Sequence, residues 1–83
     1  MTFAIELTKA ARRDLKRFDR TEVDRVDACI LSLATDPRPR GSVKIKGEQS
    51  LYRVRVGVLR VLYQVERDRV VIARIRHRRE AYR

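Results

Sequence analysis

One cysteine, Cys29, and one histidine, His77, are the only soft ligands in this 83-residue chain, so neither an intrachain disulfide nor a zinc site is expected. Long apolar runs are missing too. The longest uncharged stretch, Ala28 to Thr35, falls far short of the ~20 apolar residues that span a bilayer, and the N-terminus lacks the basic-then-apolar order of a secretion signal. A soluble cytoplasmic protein without a membrane partner is therefore expected. Length limits the chain to one domain, residues 1–83, because a chain this short buries only about 60% of its unfolded surface. There is no internal repeat and no low-complexity segment.

Positive charge is present in excess. Twenty-one Lys and Arg stand against eleven Asp and Glu, for a net charge of +10, and the distribution is uneven. Residues 1–42 hold nine basic and seven acidic residues; residues 43–83 hold twelve and four, and ten of those twelve are arginine. Arginine's planar fork matches phosphate oxygens and stacks on bases, which points to a polyanion as partner. An acidic protein would satisfy the same field.

Alternation over Phe3–Leu7 predicts a short strand. Thr8 caps a helix in which Ala11, Leu15 and Phe18 form an apolar stripe over Lys9–Phe18, and Asp19-Arg20 forms a tight turn. Thr21 and Asp24 approximate a capping box for a second helix marked by Val23, Val26, Ile30 and Leu33, which ends before Pro37. After Ser42 the period changes from 3.6 to 2. Strands are predicted at Val43–Lys46, Leu51–Val56, Leu59–Glu66 and Val70–Arg76, with Gly57-Val58 as a II′ hairpin turn and His77–Arg83 as a polar tail. The expected class is α+β, two helices packed on a mainly antiparallel twisted sheet.

Strict alternation assigns Val43, Ile45, Tyr52, Val54, Val56, Val61, Tyr63, Val65, Val71, Ala73 and Ile75 to the face that covers the helices. Lys44, Lys46, Arg53, Arg55, Arg60, Arg74 and Arg76 then share the other face, interrupted by Leu51, Leu62, Gln64, Val70 and Ile72 and joined by one acid, Glu66. Neighbouring strands lie ~4.8 Å apart, inside the ~8 Å Debye length at physiological salt, so these cations repel one another unless an anion offsets them. Tyr52, Tyr63 and Cys29 read as packing residues, and His77 continues the core face.

The run PRPRGSVKIKGEQSLYRVRVGVLRVLYQV from Pro37 to Val65, followed by RIRHRREAYR from Arg74 to Arg83, resembles the RelE/ParE toxin superfamily, and its RelE branch most closely. With the two helices, the likeness covers essentially the whole chain. It implies a β-α-α-β-β-β-β fold and a metal-independent, cofactor-free endoribonuclease that cuts mRNA in the ribosomal A site. In such toxins the ribose 2′-hydroxyl attacks the adjacent phosphate. Carried over by position, Arg60, Arg78, Tyr82 and Arg55 become catalytic candidates, and Lys44, Lys46, Arg53, Arg74, Arg76 and His77 become RNA-binding candidates. Arg76 rivals Arg78 for the tail-arginine role. The implied partners are an acidic cognate antitoxin, the ribosome with its mRNA, and operator DNA bound by the toxin–antitoxin complex.

Two departures from the family pattern bear on chemistry. Val58-Leu59 replaces a common Asp-Tyr pair. Arg55 replaces a lysine and cannot shuttle protons, because guanidinium stays charged in proteins. Proton transfer then falls to Tyr82, a poor base unless nearby cations favour its phenolate, or to His77. Two other functions fit the same likeness: a ParE-like DNA gyrase inhibitor, and a degenerate module that only binds antitoxin and operator DNA.

Overall fold

The computed structural model describes residues 2–45 and 51–80. Its elements are β1 (Ala4–Leu7), α1 (Lys9–Leu15), α2 (Arg20–Leu33), β2 (Val43–Lys44), β3 (Leu51–Val56), β4 (Leu59–Val65) and β5 (Arg69–His77). One five-stranded sheet has the order β1-β5-β4-β3-β2. β1 runs parallel to β5, and every other pair is antiparallel. Both the α+β class and the β-α-α-β-β-β-β order are as expected. The Gly47–Ser50 loop, Lys46 and residues 81–83 lie outside the described residues.

A strand cannot read Val70-Val71-Ile72-Ala73-Arg74-Ile75-Arg76 with strict alternation and keep both its apolar residues in and its arginines out. Residues 70, 72, 74 and 76 would share a face. The structure resolves the conflict with a bulge: Tyr63 pairs with Ile72 while Leu62 pairs with Arg74, leaving Ala73 as an extra residue on β5. Val70 and Ile72 therefore join Ile75 in the core, each fully buried. The expected placement of Val71 and Ala73 on the core face, and of Val70 and Ile72 on the open one, is thus corrected. Arg74 and Arg76 keep the open face because they follow the bulge.

A second correction concerns β2. Val43 pairs with Arg53 and Lys44 with Tyr52, so Val43 stands on the open side and Lys44 on the side of the helices. Val43 is 46% exposed rather than buried. Alternation alone fixes a period but not the register against a neighbour.

Seven residues make α1 too short to persist alone, so its contacts hold it in place. Thr8 is the N-cap, and its Oγ1 accepts from the Ala11 N–H at 3.0 Å. The same hydroxyl donates to the Ala73 carbonyl at 2.8 Å, and the Thr8 N–H donates to the Ile72 carbonyl at 3.0 Å. Six residues later the buried Asp14 accepts Nε and Nη2 of Arg74 at 2.8 and 3.1 Å and the Ile75 N–H at 2.9 Å. Groups on β5 at and beyond the bulge are thereby satisfied by α1.

The N-cap of α2 is Asp19, not Thr21. Asp19 accepts from the Glu22 N–H, and the Glu22 carboxylate accepts from the Asp19 N–H, a complete capping box two residues earlier than expected. Val26, Ile30 and Leu33 are buried against the sheet, and Phe3, Ile5, Leu7, Leu15, Phe18, Cys29, Tyr52 and Val56 pack around that core. Tyr63 is fully buried, donates its hydroxyl to the Pro37 carbonyl at 2.9 Å and stacks on Tyr52 at 5.8 Å. Burial pushes the Tyr63 phenol up to about 12. Between β3 and β4 the chain reverses at Gly57, whose φ of +61° suits the first central position of a two-residue hairpin turn.

Burial acting alone would raise the Asp14 carboxyl. The bonds from Arg74 and the Ile75 N–H, with the charges of Arg74 and Arg17, outweigh it and hold the group below its ordinary value of 3.8. A carboxyl depressed in the folded state stabilises fully above its unfolded value, and that contribution is lost as pH falls through the lower folded value. Asp14→Asn is expected to cost about 2–3 kcal/mol, less than the ~3–5 of a fully buried pair because Arg74 keeps contact with water. Urea unfolding at pH 7 and between pH 4 and 2 checks both parts: the variant should be less stable at neutrality and should lose less stability on acidification.

Candidate nucleic-acid interface

The face of the sheet turned away from the helices is polarised along its strands. At the hairpin end Arg55 pairs with Arg60 and Arg60 with Arg76, placing three arginines side by side across β3, β4 and β5. The next row is Val43, Arg53, Leu62 and Arg74, and the third is Leu51, Gln64, Val71 and Glu6. At the far corner Arg69 bonds both Glu6 and Glu66, beside a hollow of about 470 Å³ lined also by Ala4, Arg67 and Asp68. The two ion pairs of Arg69 lie in the lining of that hollow. The row of three arginines sits at the opposite end.

Like charges directly opposite one another in a sheet destabilise it by roughly 0.2–1 kcal/mol per pair. Their burial sharpens the cost: Arg60 and Arg76 are half-buried, with Nε of each withdrawn from solvent. Nε of Arg76 has no hydrogen-bond partner among the described residues. The strand register sets these two guanidinium groups side by side across β4 and β5. Arg55 is exposed beside them. Such an array is preorganised to meet an anion that spans several strands.

The structure brings only part of the expected set together. Arg53, Arg55, Arg60 and Arg76 share the open face. Arg74 is there too, but its fork grips Asp14, so its first role is to dock α1. Lys44 lies on the other side of the sheet at its outer edge, a displacement that follows from the β2 register. Lys46 and Tyr82 lie outside the described residues. Arg78 is exposed in the turn after β5, and its N–H donates to the Val58 carbonyl at 2.8 Å, which ties the start of the tail to the β3–β4 hairpin next to the arginine row. His77 pairs with Leu59 on the core face, and its Nδ1 accepts from the Arg79 N–H at 3.2 Å. The neutral imidazole therefore carries its proton on Nε2.

Sequence reasoning missed the residues that aim the tail. Arg17, in the turn after α1, donates to Glu80 Oε1 at 2.9 Å, and the same oxygen accepts from the His77 N–H at 3.3 Å. Arg17 also approaches Asp14 at 3.7 Å, so Arg74, Asp14, Arg17 and Glu80 form one chain of alternating charge from β5 to the tail. The bond from Arg17, then that from the His77 N–H, lowers the Glu80 carboxyl. No spacing rule links Arg17 with Glu80, 63 residues away; only the fold does.

Comparison with known proteins agrees with this geometry. Residues 5–82 match the family described as the ParE toxin of type II toxin-antitoxin system, parDE. A protein of Methanocaldococcus jannaschii described as "Putative toxin RelE1" is 36% identical over 84 residues, covering 96% of this chain and 93% of that one. The archaeal RelE-RelB complex of Pyrococcus horikoshii OT3 contains a chain that superimposes with a TM-score of 0.84 at 26% identity, over 98% of this chain and 100% of that one. The toxin-antitoxin complex RelBE2 of Mycobacterium tuberculosis gives 0.82 at 26% identity, over 93% and 99%. The chain belongs to the RelE/ParE superfamily of toxins of type II toxin–antitoxin systems.

Replacing Glu80 with Gln is expected to loosen the tail. Limited digestion with trypsin should then cut after Arg78 and Arg79 several times faster than in the parent at pH 7, with the sheet intact; equal rates would show that the Arg17–Glu80 bond does not hold the tail.

Proposed function

We propose that the chain is a ribosome-dependent endoribonuclease that cleaves mRNA in the A site and stops translation. The observation that carries this reading is the row Arg55–Arg60–Arg76, three cations in register across the sheet face turned away from the helices. In the reaction a ribose 2′-oxygen loses its proton and bonds to the adjacent phosphorus as the bond to the 5′-oxygen breaks. The products are a 2′,3′-cyclic phosphate and a 5′-hydroxyl that gains a proton. Negative charge grows on the non-bridging oxygens, and donors already fixed around that charge supply the largest part of catalysis. Arg60, flanked by Arg55 and Arg76, takes this role, with Arg78 approaching from the tail. Arginines cannot move the protons. Tyr82 is assigned that work, since His77 stands on the core face of β5, across the sheet from the row, and the resemblance implies no metal.

The partners follow from the same reading. An acidic antitoxin, RelB-like as in the complexes of the structural relatives, neutralises the basic face in the cytoplasm, and the pair binds operator DNA. A second reading is favoured by one observation, the match of residues 5–82 to the ParE description: arrest of DNA gyrase by the same fold without nucleolytic chemistry.

Adding purified protein to a translation extract and mapping mRNA 5′ ends distinguishes the two. A-site cuts are expected, and Arg60→Ala should slow cutting by roughly 10²–10³-fold, the usual loss of one oxyanion donor. Intact mRNA with gyrase arrested would replace the first reading with the second.

A further inference from the structure

The register of β2 exposes a site that the arginine row alone does not explain. Val43, turned outward beside Arg53, borders a hollow of about 280 Å³ lined by Arg40, Gly41, Val43, Arg53, Val54 and Arg55. Three arginines and one exposed valine surround it, and none of its described lining residues is acidic. Arg40 reaches this place through a defined turn. The Ser42 N–H donates to the Pro39 carbonyl at 3.0 Å, and Gly41 has φ +94°, so Arg40 occupies the first central position and Gly41 the second of a type II turn. Arg40 has no hydrogen-bond or ion-pair partner among the described residues. β2 pairs with β3 at Tyr52 and Arg53, and from Val54 to Val56 no strand of the described residues covers that side of β3.

We propose that this hollow is a subsite for one nucleotide flanking the cut, with Arg40 and Arg53 on its phosphate and Val43 against its sugar or base. The proposal rests on the ribonuclease reading and extends it from the scissile bond to its neighbour. The volume lies near the ~300 Å³ lower end of small-ligand sites, which suits a single nucleotide and no more. The hollow continues the line Arg76–Arg60–Arg55 toward the sheet edge, so a strand of RNA laid across the row enters it without reversing. Arg40 is a binding residue here, remote from the reacting atoms, and its removal acts on binding rather than on the chemical step.

The test uses ribosomes programmed with an mRNA that carries one uncharged methylphosphonate linkage, moved position by position around the cut. For the parent protein, one flanking position is expected to lower kcat/KM about tenfold, the loss of one charge-assisted contact. Arg40→Ala should lower kcat/KM on unmodified mRNA by a similar factor through KM, and should lose less than the parent to the uncharged linkage at that position, where Arg53 alone still meets the phosphate. Arg40→Lys should recover part of the loss. Parent and Arg40→Ala cutting unmodified mRNA with equal KM would overturn the subsite and leave the nuclease reading standing. A parent protein that cuts no mRNA would remove both.

Discussion

Thr8 and Asp14, two side chains one and a half turns apart, fasten α1 to β5 by taking up the groups around the Ala73 bulge. The Ala73 carbonyl, the Ile75 N–H and the Arg74 guanidinium all find their partners there. The rest of the molecule depends on this arrangement. With the bulge, Val70, Ile72 and Ile75 enter one core; without it, that core would have to accept Arg74 and Arg76 or give up Val70 and Ile72. A buried carboxylate is costly unless satisfied, and Asp14 is satisfied three times over. The shift of side-chain phase in β5 is thereby locked.

The same lock sets the electrostatics of the open face. Because the phase shifts before Arg74, Arg76 falls beside Arg60, and Arg60 beside Arg55, while the acidic side chains gather at the other end of the sheet with Arg69. The sheet thus sets three arginines side by side, Arg60 and Arg76 half-buried and Arg55 exposed, and like charges directly opposite one another cost it stability. The chain Arg74–Asp14–Arg17–Glu80 then carries the consequences of the bulge to the tail, so the helix, the last strand and the turn bearing Arg78 act as one support.

Much of this was legible from residues alone where a local rule governs. Thr8 as an N-cap, the Val26-Ile30-Leu33 stripe, the turn at Gly57 and the opposed faces of β3 and β4 each follow from period or backbone preference within a few residues. Legibility failed where two local solutions were nearly equal. The apolar run Val70–Ala73 supports either phase until Arg74 decides, and alternation counted back from Ile75 gives the wrong one. Val43-Lys44 is too short to declare its register, and Asp19 and Thr21 both make acceptable caps. Contacts across the chain, such as Asp14 with Arg74 or Arg17 with Glu80, leave no periodic trace at all. Arg53, Arg55 and Arg60 could be placed on the open face because β3 and β4 alternate without ambiguity, and Arg76 because it follows the bulge; Lys44 was misplaced because its two-residue strand is too short to show a register.

The central claim is that the arginine row of the open face, rather than any part of the helical face, receives the mRNA backbone. A structure of the protein held on a ribosome programmed with an mRNA bearing a 2′-deoxy nucleotide at the cut would test it most directly, since the missing hydroxyl prevents attack without changing the phosphates. The account predicts phosphate oxygens within hydrogen-bond distance of Arg55, Arg60 and Arg76, with the strand running from β5 toward β2. An mRNA that crosses α2 instead, or that leaves the row unoccupied, would contradict it.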